Sequence, residues 1–380
     1  MTIAAPAEPA FRRSPARVRV VHLVQTLSGG GAETAVRMLC GGLAGEGIDA
    51  GVVSVYSSGL DRGARAALGV PIVDLGRNGR KDLGYFRPLV GSLRSLRPDV
   101  VHAHLHTGQY AGRIAALLAG VPSIVLTIHG HEPGGPVRWA LDRVLHARTK
   151  RFVVFTEAQR RRFAREQHVP LERIAVIPNG ALARPASASR DDVRRTLDIP
   201  DDAFAVYAVA RLTEQKNHAA LLAGLARALR AGAPDAHLVL AGAGPLESAL
   251  RAQVEALGIA DRVRFLGFRS DAAQLHAGMD LFTLPSVWEG MPLALGEAML
   301  AGLAPLVTPW VDHDEFVRDG ESGYVASAFD AAAIAAAIVR ARNDAGRRLV
   351  AARARERART LFDASAMVAA HAELYRGLRR

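Results

Sequence analysis

Short runs of β-branched residues and stretches of helical spacing alternate along this chain, and the series runs twice. Strands are expected over 17–26, 51–56, 100–104, 123–128, 151–155 and 174–177. Helical apolar spacing is expected between them, over 32–46, 86–96, 109–118, 137–147 and 157–167. The segment PNGALARPASAS (178–189) then reads as loop, and the series restarts. Strands follow over 203–210, 237–241, 263–266, 281–284 and 304–308, with helices at 219–230, 246–257, 272–277 and 292–300. Alternation of this kind buries strands on both faces and so implies parallel sheets flanked by helices. With 380 residues the chain exceeds what one core usually organises. The reading is therefore α/β: two tandem doubly wound, Rossmann-like domains. A tail over 1–16 is followed by a first domain at 17–184, a second at 185–361 and a final helical segment at 362–380. In such sheets ligands bind at the carboxyl ends of the strands, and two facing domains would place the site in a cleft.

Composition narrows the class. Hydrophobic residues make up 49% and charged residues 22%, as in ordinary globular proteins. The opening MTIAAPAEPAFRRSPA is Pro/Ala-rich and has no long apolar core, so it reads as a disordered tail rather than a signal. No apolar run reaches the ~18 residues a spanning helix needs. The single cysteine, Cys40, excludes an internal disulfide, fits a reducing, cytoplasmic setting and reads as a small buried hydrophobe. The net charge of +11 gathers at Arg143, Arg148, Lys150, Arg151, Arg160, Arg161, Arg162 and Arg165, and again between Arg347 and Arg359. These runs are either solvated helix faces or a surface for anionic headgroups and phosphates. No aromatic interleaving or nucleic-acid module accompanies them, which argues against nucleic acid.

Four segments carry candidate chemistry. Ser28-Gly29-Gly30-Gly31-Ala32-Glu33 joins a strand to a helix, where glycines let amides approach an anion; a plain turn explains it equally well. Gly242-Ala243-Gly244-Pro245 repeats the arrangement, with Pro245 suited to a helix start. Ala210-Arg211-Leu212-Thr213-Glu214-Gln215-Lys216-Asn217 sets two cations after a strand end. Fixed cations are what a departing diphosphate requires as its charge grows, although an exposed loop pair is the alternative. The fourth segment runs from Ser286 to Glu297 and contains Trp288-Glu289-Gly290-Met291-Pro292-Leu293. Amides from Gly290 to Leu293 at a helix start would cradle an anion. A carboxylate placed like Glu297 suits the vicinal hydroxyls of a ribose.

Histidines and acids offer weaker signals. His102, His104 and His106 alternate and would share one strand face, a metal-binding pattern without a carboxylate partner. Asp312-His313-Asp314 is a formal acidic pair that reads as chance. His129 ends a strand before Gly130, as a site residue or as a satisfied loop histidine.

In order, SGGGAE, PDVVHAH, TIHG, VIPNG, ARLTEQKN, AGAGP and the acidic pair Glu289/Glu297 resemble the family 4 glycosyltransferases of the GT-B fold. The resemblance spans residues 18–377. It implies that Glu297 holds the ribose and Glu289 the donor sugar. Arg211 and Lys216 would bind the diphosphate and stabilise it as it leaves. The amides of Gly290, Met291 and Leu293, around Pro292, which has no N–H, would cradle sugar or phosphate, with Gly242 and Gly244 nearby. Gly30 and Gly31 would sit near the pyrophosphate, and His129 would meet the sugar's 6-hydroxyl. The resemblance further implies a retaining reaction from a UDP- or GDP-sugar to a glycan or lipid-linked acceptor, with no divalent metal and no other cofactor. Two departures stand out: Asn179-Gly180-Ala181-Leu182 replaces the family's NGVD, and Pro309-Trp310-Val311 replaces its glycines before Glu315. A sugar-nucleotide epimerase on this fold, or a nucleotide-sugar-binding protein without turnover, are the competing readings.

Overall fold

The computed structural model describes residues 17–79, 81–130, 136–183 and 187–379. The tail over 1–16 lies outside them. The chain divides into two compact units, residues 1–180 with 364–380, and residues 181–363.

Unit 1 is a seven-stranded sheet in the order β3-β2-β1-β4-β5-β6-β7, parallel throughout. Its strands are β1 (Val18–Val24), β2 (Ile48–Ser54), β3 (Ile72–Asp74), β4 (Val100–Ala103), β5 (Ser123–Thr127), β6 (Arg151–Val154) and β7 (Ile174–Val176). The central strands are almost wholly buried, as expected when helices cover both faces. The helix Gly31–Leu43 lays Val36, Leu39, Cys40 and Leu43 into the core. Cys40 is a fully buried hydrophobe, and burial pushes its thiol up to about 12. The last helix, Ala364–Leu378, packs against Gly31–Leu43. Gly42 leaves room there: a Cβ would lie 2.7 Å from Val368. At Gly180, where the chain leaves this unit, a Cβ would lie 2.4 Å from the Ala364 backbone, so only glycine fits beside the returning helix.

Unit 2 is a six-stranded parallel sheet in the order β10-β9-β8-β11-β12-β13. It comprises β8 (Phe204–Val209), β9 (Ala236–Ala241), β10 (Val263–Phe265), β11 (Leu281–Leu284), β12 (Ala304–Val307) and β13 (Tyr324–Val325). Its core joins these strands to the helices His218–Ala231 and Ala331–Asn343, where alanines allow close packing. Gly224 is part of that contact, since a Cβ would meet Ile334 at 2.9 Å. In the basic helix Arg347–Leu361, Arg347 stacks over Phe204 and Arg357 donates to the carbonyls of Asp314, Glu315 and Phe316. These two arginines of the C-terminal cluster hold structure.

Both sheets reverse strand order at one place: between β1 and β4 in unit 1, and between β8 and β11 in unit 2. Loops leaving adjacent strands on opposite sides of such a point diverge and leave a crevice at the carboxyl edge, where ligands of doubly wound folds bind.

Candidate active site

In unit 2 the loops after β8 and β11 flank the reversal point. The first carries Arg211 and then a tight turn, Glu214–Lys216, closed by Asn217 in the left-handed conformation. The second carries Glu289. The two loops are stapled: the Val287 amide donates to the Gln215 carbonyl at 2.8 Å and the Gln215 amide nitrogen Nε2 to the Trp288 carbonyl at 2.9 Å. Between them Lys216 Nζ lies 2.5 Å from Glu289 Oε1, with side chains 16% and 6% exposed. The carboxylate fixes the ammonium and engages one of its three N–H groups, so two remain for other acceptors. Arg211 is exposed and makes no ion pair among the described residues. It is therefore the cation at this edge whose charge no carboxylate offsets.

The helix Leu293–Leu300 begins after Pro292, which is extended and has no N–H. Met291 and Leu293 bury their side chains in the core, so only their backbones can face a ligand. Gly290 is buried as well. Glu297 is half-buried on this helix. Burial raises the phenol of Tyr207 on β8 well above its ordinary value; Arg269 opposes that, and the Asp271 and Glu297 carboxylates add to it.

Gly242 and Gly244 show a packing role. Gly242 has φ 153°, and a Cβ there would sit 1.8 Å from the Ala210 carbonyl oxygen; at Gly244 it would sit 2.4 Å from that of Leu212. The Leu212 amide donates to Ala243 and the Leu246 amide to Leu212, so the turn after β9 lies directly against the loop that carries Arg211. Among the described residues, buried polar atoms in or beside these loops without a partner include Thr213 Oγ1, His218 Nδ1, Ser286 Oγ and Trp310 Nε1. No motif singled them out, because what distinguishes them is burial without a partner. Asp312 takes a left-handed backbone before the short turn His313–Glu315, and Asp314 is exposed.

In unit 1 the turn after β1 is a bend at Gly29 (φ 98°) leading into the helix at Gly31. Gly30 is extended and its carbonyl accepts from Thr34. The room left by its missing Cβ holds the Glu33 carboxylate, whose Oε2 lies 2.1 Å from where a Cβ would be. An acid in the first turn suits the helix dipole.

The expected row of His102, His104 and His106 on one strand face does not form. β4 ends at Ala103, Leu105 takes a positive φ of 56°, and residues 105–107 already turn as helix. The side chain of His106 lies outside the described residues. His22, paired with His102 across β1 and β4, takes its place. His22, His102 and His104 offer nitrogen atoms within 4.8 Å of one another. All of their nitrogens but His22 Nε2 are engaged otherwise, however. His102 Nδ1 bonds Tyr375 Oη and its Nε2 bonds Thr127 Oγ1, both at 2.6 Å. His22 Nδ1 meets His104 Nε2 at 3.1 Å, and His104 Nδ1 meets His129 Nε2 at 3.4 Å. The ring centroids are 5.4 and 5.6 Å apart, each longer than the nitrogen separation by about two ring radii. The rings thus point head-on, as hydrogen-bonded imidazoles do; rings converging on a shared ion would bring their centroids closer. Burial holds these rings neutral: His22 falls to about 3, His371 aiding, and His129 to about 4, while burial and neighbouring imidazoles hold His102 and His104 well below the usual range.

A model of the family "Glycosyltransferase Family 4" matches residues 29–181, and a model of "Glycosyl transferases group 1" matches residues 189–360. Among curated relatives, the chain is 29% identical to the UDP-Gal:alpha-D-GlcNAc-diphosphoundecaprenol alpha-1,3-galactosyltransferase of Escherichia coli, over 70% of this chain and 71% of that one. It is 30% identical to the putative glycosyltransferase EpsF of Bacillus subtilis (strain 168), over 76% and 79%. Among solved structures, Anabaena Alr3699/HepE in complex with UDP and glucose superposes with a TM-score of 0.82 at 22% identity, over 95% of this chain and all of that one. Two parallel, helix-flanked sheets with this topology define the GT-B class of glycosyltransferase folds. The chain belongs to the family 4 glycosyltransferases and is an enzyme of glycosyl transfer.

Proposed function

We propose that the chain is a retaining transferase that takes a UDP- or GDP-sugar on unit 2 and passes the sugar to a glycan or lipid-linked acceptor. The observation that carries this reading is the Lys216–Glu289 pair at the strand reversal of unit 2, with uncompensated Arg211 on the same loop as Lys216. A diphosphate brings negative charge that grows as the bond to the anomeric carbon breaks, and preorganised cations stabilise that growth. Lys216, held by Glu289, and Arg211 are the cations for it. Glu297 takes the ribose hydroxyls, Glu289 the donor sugar, and His129 a sugar hydroxyl. The amides around Gly290, Met291 and Leu293 add further donors, with Gly30 and Gly31 near the pyrophosphate.

The anomeric C–O bond to the diphosphate breaks and a bond to the acceptor oxygen forms on the same face. The acceptor's hydroxyl proton passes to the departing phosphate oxygen, and neither a metal nor another cofactor takes part. The bound UDP of the Anabaena structure and the lipid-linked acceptor in the name of the E. coli relative support the substrate classes. Among the described residues no helix is long and apolar enough to cross a membrane. On the helix Pro136–Arg148, Trp139 is exposed and Arg143, one turn further on, lies over its ring. That face would meet an anionic membrane surface from the cytoplasmic side.

The test is a thermal-shift series with UDP, GDP and their sugars, since a ligand that binds only the folded state raises the melting point. It is followed by NMR of the product's anomeric proton. A shift with one nucleotide series and a product of unchanged anomeric configuration is expected. An inverted product refutes retention, and no shift with any nucleotide refutes the donor site.

A further inference from the structure

The buried imidazoles of unit 1 contain an asymmetry that orders their protons. His22, His104 and His129 are linked through Nδ1-to-Nε2 contacts in sequence, and at the far end His22 Nε2 is buried with no partner among the described residues. A neutral imidazole has one N–H and one bare nitrogen. Each joint needs one of each, so only two arrangements satisfy both. In the first, His22 donates from Nδ1 to His104, His104 donates from Nδ1 to His129, and His129 keeps its own N–H on Nδ1. In the second every N–H is reversed, and His22 must bury an Nε2–H that has no acceptor. A buried N–H without a partner is the rarer and costlier defect, whereas an unfilled acceptor is better tolerated. The first arrangement therefore prevails.

We propose that His22, His104 and His129 form an ordered relay of neutral imidazoles in which every N–H points toward His129, fixing its Nδ1 as a hydrogen-bond donor. His129 is partly exposed, and its Nδ1 has no hydrogen-bond partner among the described residues. Where the proposed function makes His129 face substrate, on which this consequence rests, the atom it meets is an acceptor: a hydroxyl or phosphate oxygen presenting a lone pair. His104 and His22 are then positioning residues. The surrounding groups leave the order undisturbed. His102 is engaged by Tyr375 and Thr127, and His371 Nδ1 pairs with the Met367 carbonyl. Phe155 packs on the His129 ring.

The experiment is long-range ¹H–¹⁵N NMR of the full chain labelled at histidine, at pH 7.5. His104 and His129 are expected to carry their protons on Nδ1. Protons on Nε2 of both rings overturn the proposal, as does saturable Zn²⁺ binding that shifts the His22 and His104 signals in the wild-type chain. Two variants sharpen it. In His104→Leu, His129 loses the N–H that pins its Nε2 and is expected to gain the Nε2–H form, with KM for the sugar nucleotide rising about tenfold, the worth of one hydrogen bond. In His104→Asn the amide replaces the Nδ1 donor, so tautomer and KM stay near wild type. A His129 tautomer unchanged in His104→Leu overturns the relay. A tautomer that changes while KM and turnover do not keeps the relay and removes His129 from the substrate site.

Discussion

The two sheets reverse strand order in the same way, yet the groups gathered at the two reversal points are electrostatic opposites. In unit 2 a partly buried lysine is compensated by Glu289, and Arg211 stands in solvent beside it. In unit 1 a glycine turn follows β1, and β1, β4 and the residue after β4 bring together His22, His102 and His104, imidazoles that burial holds neutral. A buried charge persists only where a partner offsets its desolvation, and unit 2 supplies that partner. Among the described residues no carboxylate pairs with His22, His102, His104 or His129, and these stay neutral instead. The same topology thus yields an edge suited to an anion and an edge suited to neutral hydroxyls. This matches the proposed division of labour, with the diphosphate on unit 2.

Acid should separate the units most strongly. Among the described residues unit 1 holds His22, His102, His104, His129, His146 and His371 neutral, all of them buried except the partly exposed His129; His146, desolvated and beside Arg113, falls to about 4, and burial likewise takes His371 to about 4. Unit 2 has His218 and His276, both taken by burial to about 4, and the less strongly lowered His237. A histidine whose folded pKa lies below its unfolded value stabilises nothing extra above about pH 6.5 and loses stability as the pH falls, because the unfolded chain binds more protons. A ring that burial takes to about 4 costs about 2 kcal/mol between pH 7.5 and pH 5. Unit 1, with the larger number of such rings among the described residues, should therefore lose more stability than unit 2 over that interval. Hydrogen-exchange pulses after incubation at pH 5 should find the amides of β1, β4 and β5 open while those of β8 and β11 remain protected. Simultaneous opening, or unit 2 opening first, breaks the comparison.

The cations of unit 2 come next. Lys216→Ala should lower turnover by about 10²–10³-fold, or about 3–4 kcal/mol of transition-state stabilisation, and should lower the melting point, because Glu289 keeps its burial and loses its counter-ion. Arg211→Ala should cost on the order of 10²-fold in turnover. Since Arg211 is exposed and makes no ion pair among the described residues, its removal should change stability by no more than about 0.5 kcal/mol. Steady-state kinetics beside thermal unfolding separates the two residues. Full activity in both variants would remove the leaving-group role from this edge.

What the sequence made legible follows from range. The helices Phe86–Leu96 and Glu157–Gln167 could be read to the residue, because helical spacing and end signals are local. β3 and β13, edge strands of three and two residues, went unread, whereas β7 and β10, edge strands of three residues, were expected. The helix that starts at Leu105 was expected from 109, because the glycine-bearing π-helical segment Gly108–Gly112 interrupts its pattern. In the site, Lys216 and Glu289 each stood out, but their 2.5 Å contact spans 73 residues. His22 carried no signal at all. Its place beside His102 is created by β1 pairing with β4, and a linear pattern cannot express that pairing. The same limit hid the work of Gly242 and Gly244, since their need for missing side chains comes from Ala210 and Leu212, each thirty-two residues earlier.

The glycines give the finest comparison. Gly29 and Gly242 both follow a strand and both have positive φ, 98° and 153°. Around Gly29 a Cβ would meet nothing within 4 Å, so Gly29→Ala costs only the left-handed backbone, about 1 kcal/mol. At Gly242 the Cβ would overlap the Ala210 carbonyl oxygen, and relief requires moving the loop that carries Arg211. Gly242→Ala should therefore cost about 1–3 kcal/mol beyond the backbone term. It should also depress turnover, because the displaced loop takes its cation with it. Gly29→Ala should leave turnover within about twofold, as a solvent-facing bend absorbs the change. Equal melting-point shifts would mean that the close approach at Gly242 is relaxed without strain. A turnover loss confined to Gly29→Ala would move the sensitive glycine from unit 2 to unit 1.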